Sequence, residues 1–386
     1  MSTVSELSTM RPTWAEIDAA AFGRNLATVA SRLPEGSRLI AVMKANAYGH
    51  GAAELANECT PDRVAMIAVV MLEEAMELRR AGVTTPLLIL GPLSEAQVRI
   101  AAENGIDVGI PGPEELVAAT RVARDRDVVI HLKIDSGMGR MGSIEGELPR
   151  IVELVRSAPR IKVAALYTHY ANSGDPDDPF TDQQSARFDT LVQTLAEAGL
   201  SAPLRHRANS AAMMRGIVKP GEYARVGIAL YGAEALDAGE SRLEPVMRWR
   251  TEIVRLKDLP KGHAVGYGMT FRTERPTRLA TLPVGYADGY NRLLSNKGDV
   301  LVGGRRAPVV GRVSMDLITV DVTDIPGAAC GDEVILLGRQ GDEEVTVEEI
   351  AAKIGTISYE VLCGVSARVP RVYRVDGRAT VRSRFQ

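Results

Sequence analysis

Lys44 closes the apolar run AVMK, and a polar, glycine-containing stretch, ANAYGHG, follows it. A lysine after such a run is usually a solvated surface group, so its reading depends on the other polar residues. Lys133 ends HLK ahead of IDSGMGRMG, which carries Arg140, and His169 ends KVAALYTH. Asn209 and Ser210 follow PLRHRA, and YARVGIALYG carries Arg225, Gly227 and Ile228. The set is rich in cations and hydrogen-bond donors, and poor in carboxylates and paired histidines. That disfavours metal-assisted hydrolysis and two-carboxylate glycoside chemistry. It suits an anionic cofactor beside a lysine amine that can form an imine with an aldehyde. A glycine at 227 lets backbone N–H groups come close to phosphate oxygens. Pyridoxal phosphate meets both requirements.

These residues need a scaffold that gathers them. Strand-like apolar runs cover residues 38–43, 63–70, 86–90, 107–110, 127–134, 162–169, 203–207 and 223–232. Segments with helical periodicity, such as LEEAMELRRAG and EELVAATRVARDR, lie between them. Near-continuous apolar strands alternating with helices imply parallel strands buried on both faces. Eight such units predict a (β/α)8 barrel, whose active site is built at the C-terminal ends of its strands. The polar residues above fall at the ends of strands 1, 5, 6, 7 and 8, and the loops after strands 7 and 8 often bind phosphate. A doubly wound sheet would carry GxGxxG after its first strand, and none is found there.

From about Trp249 the segments become short, β-branched and bounded by turn residues, as in RPTRLATLPVGYADGY and GDEVILLG. That texture predicts a mainly β domain. One helix, VTVEEIAAKIG, interrupts it with Thr346 as its cap. The expected division is a barrel over residues 12–247 and a β domain over 248–386.

Composition narrows the partners. The chain has 386 residues and a formal net charge of −3, with no basic footprint for nucleic acid or an anionic membrane. No apolar run approaches the ~20 residues of a membrane span. The start, MSTVSELSTM, lacks the basic and apolar regions of a secretory leader. Cys59, Cys330 and Cys363 are too few and too scattered for a disulfide framework or a metal site. The expectation is a cytoplasmic protein without a bound metal, acting on a small molecule.

The blocks AVMKANAYGHG, HLKIDSGMGRMG, THYA, RANSAA, RVGIALYG, PVGYADGY, GRVSMD and ISYEVLCGVSARVPR occur in the order found in one family. From about Arg11 onward the chain resembles the alanine racemases, fold-type III pyridoxal phosphate enzymes. The resemblance implies interconversion of L- and D-alanine, supplying D-alanine for cell-wall peptidoglycan, by a homodimer with shared active sites. It implies that Lys44 bonds the cofactor and is one catalytic base. Tyr286, from the partner subunit, is the other. Tyr48, Asn209, Ser210, Tyr359 and the backbone of Gly227 and Ile228 are implied to hold the cofactor, chiefly its phosphate. Arg225, supported by His169, is implied to face the pyridine nitrogen. Arg140 is implied to meet the cofactor's ring hydroxyl and the substrate, and the backbone at Met315 of the partner the substrate carboxylate. Lys133 occupies the position that many members carbamylate, where it steadies Arg140.

Free lysine and tyrosine both titrate at about 10, so burial and neighbouring cations must shift the two bases. An arginine opposite the pyridine nitrogen leaves that nitrogen unprotonated and weakens the ring as an electron sink. Asp135, Asp288 and Asp316 read as structural residues, and His50 has no assigned role. Two alternatives keep the architecture: a racemase of broader or serine specificity, and an amino-acid decarboxylase. The decarboxylases of this class place a carboxylate where this chain has Arg225. A pyridoxal phosphate carrier without activity would resemble the barrel alone.

Overall fold

The computed structural model describes residues 11–233, 243–375 and 378–382. Among them, one unit takes the described residues of Met1–Phe22, Tyr48–Glu54 and Tyr231–Gln386, and the other takes Gly23–Ala47 and Leu55–Leu230. Strand β1 (Thr13–Asp18), TWAEID, alternates buried and half-buried residues. Alternation of that kind marks an antiparallel strand with one wet face. β1 pairs antiparallel with Met247–Glu252 and parallel with Arg371–Val375. The sequence reading began the barrel at residue 12, whereas this strand lies in the sheet of the other unit.

The barrel unit contains the eight expected strands: β2 (Leu39–Val42), β3 (Met66–Val69), β4 (Leu87–Ile89), β5 (Ile106–Ile110), β6 (Val128–Lys133), β7 (Ile161–Tyr167), β8 (Leu204–His206) and β9 (Ala224–Val226). They run parallel in the order β8-β7-β6-β5-β4-β3-β2-β9. A parallel bridge His206↔Tyr223 and the bond from Arg225 N to Ala208 O (2.9 Å) bring β8 and β9 together, so the sheet closes on itself. Apolar side chains fill these strands: β2 (LIAV), β3 (MIAV) and β4 (LLI) are buried throughout. The run ending at 232 is shorter as a strand than its sequence suggests, because Ile228–Tyr231 winds into a 3-10 turn.

Helices Leu72–Arg80, Glu95–Glu103, Pro113–Val122, Leu148–Ser157 and Phe180–Glu197 each bury one apolar face; in Leu148–Ser157 it is Leu148, Ile151, Val152 and Leu154. A buried ion pair ties the segments flanking β8 and β9. The Arg207 Nε–H donates to Glu222 Oε2 at 2.8 Å, and Nη2–H donates to Glu222 Oε1 at 2.5 Å and Asp189 Oδ1 at 2.7 Å.

In the β unit the strands order as Arg305–Pro308, Asp299–Val302, Glu333–Gln340, Met247–Glu252, β1, Arg371–Val375 and Arg378–Arg382; Glu343–Val345 pairs with Glu333–Gln340. A second sheet joins Arg255–Leu259, Thr277–Leu282 and Ile318–Asp321. Thr346 caps helix Val347–Ile354, its Oγ1 accepting from Glu349 N at 3.1 Å. A further short helix, Ser358–Gly364, follows it.

Removing one partner of a buried pair leaves the other charge uncompensated, at a cost of about 3–5 kcal/mol. Glu222→Ala leaves Arg207 with the part-exposed Asp189 as its remaining carboxylate, so it is expected to lower unfolding free energy by about 3 kcal/mol, the low end of that range. Denaturant titration followed by circular dichroism measures it, and a loss under about 1 kcal/mol would contradict a structural role for the pair.

Candidate active site

Lys44 follows β2 at the C-terminal end of the barrel strands and is exposed. The four residues after it, Ala45, Asn46, Ala47 and Tyr48, all have positive φ (53°, 53°, 53° and 52°), one turn of left-handed helix without a glycine. L-residues in that conformation cost on the order of 1–2 kcal/mol each, so other contacts must hold the turn. Glu74 supplies one. Its Oε1 accepts from Ala45 N at 2.6 Å, while Oε2 accepts from Val70 N at 2.9 Å and Met71 N at 3.1 Å. One carboxylate thus joins the loops that follow β2 and β3.

Arg225, on β9, is 4% exposed. Its Nη1 donates to His206 Nδ1 (2.7 Å) and His206 O (2.6 Å). Its Nη2 faces Thr168 O (2.7 Å), His169 Nδ1 (3.0 Å) and Arg207 O (3.3 Å). These contacts use the terminal N–H groups and leave the Nε–H as the remaining donor. The acceptors around Arg225 are carbonyls and imidazoles; no carboxylate is among its described contacts. Burial pulls its pKa down to about 10. Burial, reinforced by the Arg225 charge, pulls His169 down to about 2, which keeps that ring neutral and able to accept at Nδ1.

Lys133 is the last residue of β6 and is buried. Burial comes first, then the charges of Arg225 and Arg140, in pulling its pKa to about 8. Its Nζ lies 5.8 Å from the centroid of the Tyr167 ring, and the Arg225 guanidinium lies 5.3 Å from the same ring. Arg140 sits on the exposed loop after β6. Asp135 shapes that loop: Oδ1 accepts from Gly137 N and Met138 N, both at 2.8 Å, and Oδ2 from Gly139 N at 2.9 Å.

The phosphate donors expected after β8 and β9 meet each other. Ser210 Oγ accepts from Gly227 N at 3.0 Å, and Ile228, fully buried, opens the 3-10 turn. Asn209 does something else. Its Oδ1 caps the helix Ser210–Met214 by accepting from Ala212 N at 3.0 Å, and it also takes the Ser173 hydroxyl at 2.7 Å. His206 was not among the expected site residues; its place on a strand beside the other inward polar residues was the available signal.

In the β unit, Tyr48 packs against Tyr231 (centroids 4.9 Å) and Tyr359 (5.9 Å). His50 stacks on Tyr231 at 4.7 Å and its carbonyl accepts from the Tyr373 hydroxyl at 2.8 Å, so its contacts are those of a packing residue. Tyr286, 42% exposed, opens the 3-10 turn Tyr286–Asp288. Its N donates to Ser314 O (3.0 Å) and Ala287 N donates to Met315 O (3.1 Å), which brings two of the expected site residues together. Both flanking glycines are required: a Cβ at Gly289 (φ +105°) would lie 2.1 Å from Gly364 O, and one at Gly285 2.3 Å from Met315 O. Asp288, fully buried, accepts from Gly285 N at 2.9 Å and takes Arg11 through both oxygens at 2.8 and 2.5 Å. Arg368 lies 3.6 Å from Asp288 and donates to Asp316 at 2.7 Å, joining the Tyr286 and Met315 loops. Among the described residues no group of three or more His, Cys, Asp or Glu side chains could hold a metal ion, and no helix is long and apolar enough to cross a membrane.

The left-handed turn makes a measurable demand on residue 45. Ala45→Val places a β-branched side chain at positive φ and is expected to destabilise by roughly 2 kcal/mol. Ala45→Gly relieves the turn and should be neutral to about 1 kcal/mol stabilising, since its unfolded-state entropy offsets part of the gain. Thermal unfolding of the two variants, compared with wild type, checks this ordering.

Comparison with known proteins agrees along the chain. A family model for the alanine racemase N-terminal domain matches residues 17–235, and one for the C-terminal domain matches residues 246–373. The alanine racemase of Halothermothrix orenii is 40% identical over 368 residues, 94% of this chain and 97% of the relative. That of Symbiobacterium thermophilum is 41% identical over 95% of this chain and 98% of its own. Among solved structures, the Bacillus anthracis alanine racemase with bound L-Ala-P superposes with a TM-score of 0.90 at 34% identity, covering 97% of this chain and 98% of that one. With both halves of the family's architecture matched over nearly their whole length, the chain belongs to the alanine racemase family.

Proposed function

We propose that this chain interconverts L- and D-alanine as its family does, with pyridoxal phosphate held in the barrel unit and with Lys44 and Tyr286 as the two bases. The observation that carries the cofactor reading is Arg225, a donor-only cation whose terminal N–H groups are engaged while its Nε–H remains. Such a group fits an unprotonated pyridine nitrogen as acceptor. The neighbouring Ser210 hydroxyl, which accepts from the Gly227 N–H, keeps its own O–H to donate to a phosphate oxygen. When bound, the cofactor acidifies the substrate's Cα–H, and an arginine at its ring nitrogen limits how far charge is drawn into the ring.

The chain's residues do the rest. Lys44 presents its amine at the end of a barrel strand, where it would hold the cofactor through its aldehyde carbon and, once the substrate's amine takes that bond and frees the lysine, would move a proton at Cα from one side. The Tyr286 phenol, on a turn anchored by Asp288, moves the proton on the opposite side. Tyr48 and Tyr359 complete the hold on the phosphate, Arg140 orients the ring hydroxyl and the substrate, and the Met315 backbone receives the substrate carboxylate. In this reading Tyr286 and Met315 serve the barrel of a second copy, so the working unit is a homodimer. The exposed apolar side chains Leu293, Met315, Leu317 and Ile357 support a protein-facing surface there. The reading places the reaction in the cytoplasm, where its product feeds peptidoglycan assembly.

A racemisation assay on L- and D-alanine with visible absorbance recorded tests the reading. Lys44→Ala should lose both the absorbance and the activity while keeping the fold; a colourless, inactive wild type would overturn the proposal. Tyr286→Phe should slow Cα proton exchange from L-alanine by about 10²–10⁴ and affect D-alanine less. Equal, mild losses would exclude Tyr286 as a base.

Lys133 should be carbamylated, its neutral amine attacking CO2 and releasing a proton to solvent. With a pKa near 8, the amine is roughly one-tenth neutral at pH 7 and nine-tenths at pH 9. The ¹³C signal of a carbamate formed from labelled bicarbonate should therefore grow with pH and vanish in Lys133→Arg.

A further inference from the structure

The contacts of Arg225 continue past the residues that the proposed function uses. His206, fully buried on β8, meets Arg225 Nη1 through Nδ1 at 2.7 Å. Arginine has donors only, so this Nδ1 carries no proton, and a neutral imidazole must then carry its proton on Nε2. That Nε2 lies 2.9 Å from Nδ1 of His131, which is 1% exposed on β6. His131 therefore accepts at Nδ1 and carries its own proton on Nε2. The Nε2–H faces Asp107 Oδ2 on β5 at 3.3 Å. Asp107, 23% exposed, is acceptor-only when ionised. An obligate donor at one end and an obligate acceptor at the other leave one proton arrangement for both rings. Tyr167 stacks on His206 at 4.6 Å and 18°, which fixes the plane of the middle ring. Burial keeps His206 well below its ordinary pKa, consistent with a neutral link.

We infer that Asp107, His131 and His206 form one oriented hydrogen-bond chain that holds the Arg225 guanidinium in a single orientation, which makes Asp107 and His131 positioning residues for the group facing the cofactor's ring nitrogen. The role toward the cofactor rests on the proposed function; the chain itself does not. Its logic is that of a metal-bound or catalytic histidine whose second nitrogen is fixed by a carboxylate, extended by one ring and ending on an arginine. Packing alone would need the two rings to fill space, and would be indifferent to which nitrogen is protonated. Both histidines point inward from strands and are separated by 75 residues, so neither strand shows the pair by itself.

The test is ¹⁵N NMR of histidine-labelled protein as purified, with the five histidines assigned by substitution, together with steady-state kinetics. In wild type, His131 and His206 should both be Nε2–H tautomers. Asp107→Val removes the terminal acceptor and should shift the His206 resonances, two links away, toward a tautomer mixture. It should also lower kcat about fivefold, less than the 10–100-fold typical of a direct second partner, with KM within about twofold. Asp107→Asn, which still accepts through Oδ1, should restore most of both. A proton on Nδ1 of His206 in wild type would overturn the chain without any variant. So would an Asp107→Val protein whose His206 resonances and kcat match wild type. The tautomers are read without substrate, so an inactive protein that shows them would support the chain while overturning the proposed function.

Discussion

A guanidinium buried inside the barrel is the constraint on which the rest of the barrel site depends. Arg225 sits where β9 meets β8, and its charge cannot be left without acceptors in a low-dielectric interior. The surrounding strands answer with three carbonyls and two imidazoles. Because all of these acceptors are neutral, the cation stays uncompensated as a charge. Burial is the larger cause of the lowered pKa values of Lys133 and His169, and the charge of Arg225 adds to it. Both effects favour a neutral lysine amine and a neutral histidine that can accept a hydrogen bond. A carboxylate in place of Arg225 would oppose the burial effect instead of adding to it.

The β unit solves a different problem, which is to present a phenol to solvent without letting it wander. Tyr286 is half exposed, yet its turn is fixed from below by a fully buried carboxylate that binds a backbone N–H and the guanidinium of Arg11. The close approaches at Gly285 and Gly289 leave no room for side chains. Rigidity comes from the residues around the phenol, and the phenol itself remains available. The left-handed turn after Lys44 follows the same logic, with an unfavourable backbone held by the Glu74 carboxylate.

The barrel was legible because parallel strands buried on both faces are near-continuously apolar, a signal that β2, β3 and β4 carry throughout and that the short, polar β8 does not. TWAEID was not read as a strand, because it is short and its partners lie more than two hundred residues away. The helix after Thr346 could be read from its cap and period, while Ser358–Gly364 is too short for either to register. Positions at strand ends pointed to Lys44, Lys133, His169, Ser210 and Arg225. Asn209 reads equally well as a ligand or a cap, and its side chain caps a helix. His206 and His131 stayed unremarked because a single inward histidine carries no information about what it meets.

The sequence by itself determined most element types, the barrel-plus-β architecture, the family, and which barrel strands end in polar side chains. These follow from local periodicity and from residue identity, and both survive without coordinates. Only the tertiary structure decided which acceptors surround Arg225, that Asp107 reaches it through two rings, and that four residues without a glycine turn left-handed after Lys44. Each of these depends on groups brought together from distant strands, or on a backbone held against its own preference by such a group. Local propensity contains neither.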